Sequence, residues 1–382
     1  MFVSPPNRKP SVLWRFRVFA PLGHLGAHAT IPDALSTRTV LVCETQVPFV
    51  RGGAELLVRQ LVDQLRARGF ETDRVSVPFK WYPKDEILAH AAAWRLLDLT
   101  ESNGRPVDLV IGTKFPSYFA RHPRKVSWLV HQHRAAYELA GTIYSDFGWD
   151  ERDIGLQQQL LALDEQMLGE CVGRYTISQT VSERLRRFNG LESTPLYHPP
   201  LLADRLSPGK SGNYILSVAR LEGNKRVDLI VRAMAYVPEP LTLVVVGNGS
   251  HRALIEKAAA DADVTARVRF AGGVHDNDLV GLYRDALALV YVPFDEDYGL
   301  ATLEAFLAAK PVITATDSGG TLEFVKDEVN GLVCPADPTA IGDALSRLAG
   351  DRALASRLGE AGRSSAVGIT WDGVIDRLVS HG

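Results

Sequence analysis

The sequence predicts an α/β protein built from two doubly wound halves that face each other across a cleft. Three observations carry this reading. At 382 residues the chain exceeds one ordinary domain and suits two. Short apolar runs of strand length alternate with amphipathic helical stretches, the pattern of βαβ units and parallel sheets. The alternation stops at a stretch rich in Pro and Gly and then restarts, which marks a boundary between two cores.

The first strand spans Thr39 to Glu44, and the pair Gly52-Gly53 then opens a helix. Leu56, Leu57, Leu61, Val62 and Leu65 line one side of that helix and Gly69 closes it. A strand from Thr72 to Val77 completes a βαβ unit. Strands follow at Asp108 to Ile111, Val126 to Val130 and Tyr175 to Ser178, with helices over Ile154 to Leu168 and Val181 to Phe188. Pro195, Pro199, Pro200 and the run Ser207 to Gly212 cannot continue a helix or a central strand and read as a linker. Strands recur at Tyr214 to Val218, Leu241 to Val246, Val268 to Phe270, Leu287 to Val292, Val312 to Ala315 and Gly331 to Cys334. Helical patterns over Asp337 to Leu348, Arg352 to Ala366 and Trp371 to Val379 end the chain. The expected division is an N-terminal domain over 38–195, a linker over 196–212 and a C-terminal domain over 213–382, whose last helix can return to the first domain.

Composition narrows the class. Hydrophobic residues make up 46% and charged residues 23%, which favours a filled core over disorder. A formal net charge of -3 gives no overall pull toward nucleic acid or membrane. No apolar run is long enough to cross a bilayer. Cys43, Cys171 and Cys334 are odd in number and lack metal-ligand spacing, so they read as buried thiols in a reducing, cytoplasmic compartment. Residues 1–37 read as a basic, poorly ordered extension: Arg8-Lys9 and Ala27-His28-Ala29 imitate a secretion signal, but Arg15 and Arg17 interrupt its apolar segment.

The chemistry centres on Pro293 to Pro311, PFDEDYGLATLEAFLAAKP. A buried strand leads into a short acidic loop, and Tyr298-Gly299 opens a helix. Glu296 lies in the loop and Glu304 one turn into the helix, and the free N–H groups near Gly299 to Thr302 make an anion site. Carboxylates able to grip sugar hydroxyls, beside a socket for phosphate, suggest a nucleotide sugar. Arg220 and Lys225 follow the first strand of the second half, on the same sheet edge, where open α/β sheets bind ligands. They could hold a diphosphate and stabilise its charge as it leaves. Asp295-Glu296-Asp297 is also D-x-D, either a divalent-metal grip or a solvated acidic helix cap. His131 and His133 alternate at a strand end and are expected on one face, with His131 toward the cleft. Two basic-aromatic clusters, Lys80, Trp81, Tyr82 and Lys84, then Arg121, Arg124, Lys125 and Trp128, read as solvated faces or as membrane contacts if the acceptor is a lipid.

Taken as an ordered series, SVARLEGNKRVDLIVRA, VVVGNGS, VRFAGGVHDNDLVGLYRDA, PFDEDYGLATLEAFLAAKPVITATDSGG and NGLVCPAD resemble the GT-B nucleotide-sugar glycosyltransferases of family 4. The resemblance runs from about Thr39 to the C-terminus and is stronger in the second half. It implies two Rossmann-like domains and an E-x7-E pair at Glu296, for the donor sugar, and Glu304, for the ribose. It implies Arg220 and Lys225 on phosphate, the backbone of Gly299, Leu300 and Ala301 on the diphosphate, and Gly273-Val274 near the base. In the first half it implies a GG loop at Gly52-Gly53 and a cleft histidine at His131. The implied activity is metal-independent, retaining transfer from a nucleoside-diphosphate sugar, UDP- or GDP-linked, to an acceptor hydroxyl in glycan, envelope polysaccharide or glycoconjugate synthesis. No cofactor and no metal are implied. The acceptor, whether a glycan, a lipid-linked glycan or a small molecule, is not identified, and peripheral contact with the inner membrane face stays open. A nucleotide-sugar epimerase, a phosphorylase or a non-catalytic binding protein of the same fold are the alternatives; a phosphorylase would need a pyridoxal phosphate lysine, for which no motif appears.

Overall fold

The computed structural model describes residues 38–49 and 52–381; the extension read over residues 1–37 lies outside them. β1 (Thr39–Gln46) leads into α1 (Gly53–Ala67), which buries Leu57, Val58, Leu61, Val62 and Leu65. β2 (Glu71–Pro78) then lies parallel to β1, in register from Thr39 opposite Glu71 to Gln46 opposite Pro78. α2 (Glu86–Leu96) had no counterpart in the sequence reading. Its core, EILAHAAAW, is apolar nearly all round, so no one-sided period announces it. A small hairpin of β3 (Glu101–Ser102) and β4 (Arg105–Pro106) stands outside the main sheet. β5 (Leu109–Gly112), β6 (Lys125–Leu129), α3 (Glu151–Gly169), β7 (Gly173–Thr176), α4 (Gln179–Asn189) and β8 (Thr194–Pro195) complete the first lobe. The sheet order is β2-β1-β5-β6-β7-β8.

The second lobe alternates more regularly. β9 (Tyr214–Val218), α5 (Val227–Ala233), β10 (Thr242–Val246), α6 (Arg252–Asp261), β11 (Val268–Gly272) and α7 (Asp276–Asp285) build one wing. β12 (Ala288–Val290), α8 (Leu300–Leu307), β13 (Val312–Ala315), α9 (Thr321–Phe324) and β14 (Gly331–Cys334) build the other. The order β11-β10-β9-β12-β13-β14 reverses direction between β9 and β12, and such a reversal opens a ligand crevice at the strands' carboxyl ends. Both sheets are parallel, and strands such as β5 and β13 are buried at every position, as sheets covered on both faces require. Cys43, Cys171 and Cys334 are buried free thiols. Among the described residues no helix is long and apolar enough to cross a membrane.

α10 (Pro338–Gly350) and α11 (Arg352–Ala366) stay on the second lobe, while α12 (Trp371–Val379) crosses back. Trp371 meets Trp128 of β6 edge-on at 5.9 Å, the guanidinium of Arg38 donates to Val379 O at 2.7 Å, and Asp372 pairs with Arg68. The crossover is equally fixed. His198 stacks on Tyr298 with ring centroids 4.6 Å apart. The Tyr298 hydroxyl accepts from the His198 N–H at 2.8 Å and donates to the His198 carbonyl at 2.7 Å. Burial takes the His198 imidazole down to about 4, so it is neutral at physiological pH.

Two sequence readings change here. Pro195 is not linker but part of β8, which pairs with β7 at the sheet edge, where a proline costs no ladder bond. The second basic-aromatic cluster divides: Arg121 and Arg124 are exposed, but Lys125 and Trp128 lie inside β6, 1% and 0% exposed. The Lys125 ammonium donates to Tyr118 O at 2.8 Å and pairs with Glu170.

Candidate active site

Three loops meet at the reversal point of the second lobe, and Arg226 fastens them together. A short turn, Gly223–Lys225, ends at Arg226, whose φ of +50° turns the chain into α5. Its buried guanidinium donates to Val292 O and Pro293 O, each at 2.8 Å, and forks onto Asp317 at 2.6 and 2.8 Å. The loops after β9, β12 and β13 are thereby held in one arrangement. That arrangement sets the Lys225 ammonium on the Glu296 carboxylate and 3.3 Å from the Tyr291 hydroxyl. The backbone of Glu296 is fixed as well, donating to Ser318 O at 3.3 Å and accepting from Gly320 N at 2.7 Å. Gly319, at φ +57°, permits this approach, because a Cβ there would come 2.6 Å from the Glu296 carbonyl oxygen.

Beyond Glu296 the chain passes Gly299, at φ +89°, into α8. The amides of Gly299, Leu300 and Ala301 donate to no acceptor among the described residues, which leaves an anion socket at the helix start. Glu304 sits one turn further, about 7 Å along the axis, and accepts from the Tyr283 hydroxyl at 2.7 Å. Burial raises its carboxyl to about 7, against the hydrogen bond from Tyr283. Asp276 adds to the rise and belongs to an open groove of ≈ 700 Å³ lined by Arg205 and Val274 to Asp278. Glu296, the socket, Glu304 and the Val274 groove thus follow one another along a single edge.

The first lobe supplies the facing wall. Gly52 caps α1, and its N–H donates to Glu55 Oε2 at 2.8 Å. Glu55 also takes the Lys114 ammonium at 2.5 Å. Burial raises the Glu55 carboxyl, but Lys114 and the cap outweigh it and the net shift is downward. A Cβ on Gly52 would come 3.7 Å from the Arg220 guanidinium, and one on Gly53 3.4 Å from Leu300. The GG loop therefore shares one cleft with Arg220 and Leu300. Arg220 itself is exposed.

The paired histidines part company. β6 ends at Leu129, so strand alternation no longer governs His131 and His133. His131 stands among Asp297, Lys114 and Arg134; burial lowers its pKa while Asp297 opposes this. His133 packs among Phe79, Phe115 and Phe147 at 5.7 to 6.0 Å, where burial takes it down to about 4. The D-x-D carboxylates are paired with arginines rather than forming a free acidic cap, the Asp295 and Asp297 side chains being 31% and 13% exposed. Arg184 of α4 binds both Asp295, at 2.8 Å, and Asp297, and Arg134 reaches Asp297 at 3.4 Å. Glu222 does not pair with Arg220 or Lys225 but accepts from the Ser250 hydroxyl at 2.6 Å.

The structure therefore brings Gly52, Gly53, Arg220, Lys225, Glu296, Gly299, Leu300 and Ala301 to one cleft, with Glu304 and Val274 along its edge and His131 on the opposite wall. Sequence reasoning overlooked Lys114, Arg134, Arg184 and Arg226. Lys114 follows a buried strand directly, which was a usable signal; the arginines look like any solvated cation.

Residues 203–365 match the family described as glycosyl transferases group 1. A D-inositol 3-phosphate glycosyltransferase of Salinispora arenicola is 31% identical over 250 residues, covering 60% of this chain and 55% of that protein. The chain spans about half the length of such curated relatives. WaaG, a glycosyltransferase involved in lipopolysaccharide biosynthesis, superposes with a TM-score of 0.70 at 20% identity over 89% of this chain and 100% of that one. HepE of Anabaena, solved with UDP and glucose, gives 0.61 at 16% identity over 87% and 95%. Likeness at this level of identity establishes the architecture.

Proposed function

We propose that this chain, which has the GT-B fold and matches the glycosyl transferases group 1 family over residues 203–365, is a retaining, metal-independent family 4 hexosyltransferase acting from a nucleoside-diphosphate sugar. The observation that carries the reading is the Lys225–Glu296 pair beside the open amides of Gly299 to Ala301. Glu296 would accept from donor-sugar hydroxyls. Lys225, Arg220 and the helix start would take the diphosphate, and Glu304 the ribose, with the base toward Val274. In the transfer the anomeric C–O bond breaks with its electron pair on the diphosphate, and the acceptor oxygen bonds the anomeric carbon from the same face. The acceptor proton passes to the departing phosphate oxygen. The cations and amides stabilise the charge that develops on the leaving group, which makes a divalent metal unnecessary. His131, on the facing wall, would hydrogen-bond the sugar or its phosphate.

An epimerase needs further cleft acids and bases. The other cleft carboxylates, Glu55, Glu138, Asp295 and Asp297, are each engaged by Lys or Arg, which favours transfer. We place the enzyme in the cytoplasm, in glycan or glycoconjugate synthesis. Tyr82, Ile143 and Trp149, 60%, 91% and 71% exposed on the first lobe, would suit contact with the inner membrane face if the acceptor is lipid-linked.

The reading is tested by a thermal-shift screen of UDP, GDP, ADP and dTDP and their sugars in the presence of chelator, since a ligand that binds the folded state stabilises it. One nucleotide family should raise the melting temperature with no metal present; no response to any of them would remove the reading. Arg220→Ala should weaken the responding diphosphate by about tenfold, the loss of one charge-assisted contact.

Glu304 adds a pH dependence. Its carboxylate form is the acceptor for ribose hydroxyls, and the carboxyl is raised to about 7 in the free protein. Diphosphate affinity should therefore be full above pH 7 and decline as pH falls below it, with proton release on binding. Titration calorimetry in buffers of different ionisation enthalpy measures this directly. A flat affinity from pH 8 to 5.5 would separate Glu304 from ribose recognition.

A further inference from the structure

Four charged side chains from two lobes meet in a nearly closed cluster around the loop that carries Glu296. Arg134 follows β6 and Arg184 lies on α4, both in the first lobe; their side chains are 14% and 8% exposed. Glu138, from the same lobe, is 6% exposed and binds both of them. Asp297 enters from the second lobe, 13% exposed. Arg184 donates to the Asp295 carbonyl at 2.7 Å, to the Asp295 carboxylate at 2.8 Å and to the Asp297 carboxylate. Arg134 donates to the same Asp295 carbonyl at 2.5 Å. The hydroxyl of Ser178, which caps α4, donates to the Asp297 carbonyl at 2.5 Å. Both residues flanking Glu296 are thus gripped, backbone and side chain, by the opposite lobe.

Two further facts give the grip a direction. Asp295 sits at φ +44°, a left-handed conformation that aspartate tolerates better than most side chains, and here the two guanidiniums hold its carbonyl in that turn. The second anchor is Glu323 of α9, whose carboxylate accepts from the free N–H groups of Gln179 and Thr180 at 2.9 and 2.7 Å. α4 is therefore a strut with its start bound to α9 of the second lobe and its arginine bound to the loop that carries Glu296.

We infer that Arg184 and Arg134 are positioning residues for Glu296: docking of α4 onto the Asp295-Glu296-Asp297 loop sets the sugar-gripping carboxylate, so the sugar half of the donor site depends on these two guanidiniums of the first lobe. This rests on the donor-site reading above. The diphosphate half does not depend on the strut, because Lys225, Arg220, the α8 amides and Glu304 all belong to the second lobe. The two halves should separate in binding. Burial raises the Asp297 carboxyl, but the two guanidiniums outweigh it and the net shift is downward, so the pairing is ionic at physiological pH.

The experiment compares two probes on each protein by titration calorimetry, chosen by the nucleotide to which the wild type responds in the thermal screen: UDP against UDP-glucose, GDP against GDP-mannose, ADP against ADP-glucose or dTDP against dTDP-glucose. The variants are Arg184→Lys, Arg184→Ala, Arg134→Ala and, from the other lobe, Asp297→Asn. Each should hold the diphosphate within about twofold of wild type. The sugar nucleotide should weaken by about tenfold, as expected when the competent loop falls to a tenth of its population, with Arg184→Lys intermediate because one charge remains but the fork is lost. Turnover should drop by on the order of a hundredfold with misplacement of Glu296. Should Arg184→Ala fail to fold, Arg184→Lys and Asp297→Asn carry the same test. Equal weakening of both probes, or no weakening of either in a folded variant, overturns the inference. A wild type that binds no probe overturns the donor-site reading and this inference with it.

Discussion

Glu296→Gln is expected to lower turnover by on the order of 10²–10³-fold, the range seen when one transition-state contact is removed from a preorganised site. The substitution keeps shape and hydrogen-bonding capacity but removes the charge that Lys225 answers and that the loosening sugar would feel. Free diphosphate should bind within a few-fold of wild type, because its contacts come from Arg220, Lys225 and the α8 amides. Folding should persist, since the Glu296 backbone is held by Ser318 and Gly320 independently of the side chain. Steady-state kinetics with the nucleotide sugar found in the thermal screen is the measurement. Near-normal turnover in Glu296→Gln and Glu296→Ala would remove Glu296 from the mechanism.

Arg226→Met should be the most damaging single change to stability near the site. Arg226 is 7% exposed, and its guanidinium satisfies two buried carbonyls, Val292 O and Pro293 O, along with Asp317. Leaving the two carbonyls unpaired costs about 1–3 kcal/mol each, while Asp317, 43% exposed, can turn to water; for a chain of this size the loss lowers the melting temperature by roughly 3–7 °C. Arg226→Lys should recover little of it, because an ammonium cannot fork onto two carbonyls and a carboxylate at once. Transfer should fall further than stability does, since the same guanidinium aligns the loops of Lys225 and Glu296. Calorimetric melting beside activity at 20 °C separates the two. A melting temperature within 2 °C of wild type would show that the loops hold without it.

Much of this could be read from the sequence because parallel strands buried on both faces write themselves as apolar runs. β9, β13, β14, α11 and α12 begin and end where the pattern placed them. α2 escaped because EILAHAAAW has no polar face to mark its period. The meeting of Lys225 and Glu296 was legible for a related reason: each follows a strand, and loops after parallel strands converge. What stayed hidden was the identity of partners. Arg184 and Asp297 are separated by 113 residues, and nothing local distinguishes a guanidinium that crosses a cleft from one that faces water. The same blindness turned Lys125 and Trp128 into a surface patch and gave His131 and His133 a common face.

The stacked His198–Tyr298 pair and the return of α12 bear on how such a chain can be divided. A seam drawn at residue 212 leaves Tyr298 on one piece and its stacking partner on the other, and it strands Trp371 away from Trp128. The halves look modular in their strand order but share one aromatic keystone. A chimaera that takes its first lobe from a relative must therefore take α12 from the same parent, although that helix follows the whole second lobe in the sequence.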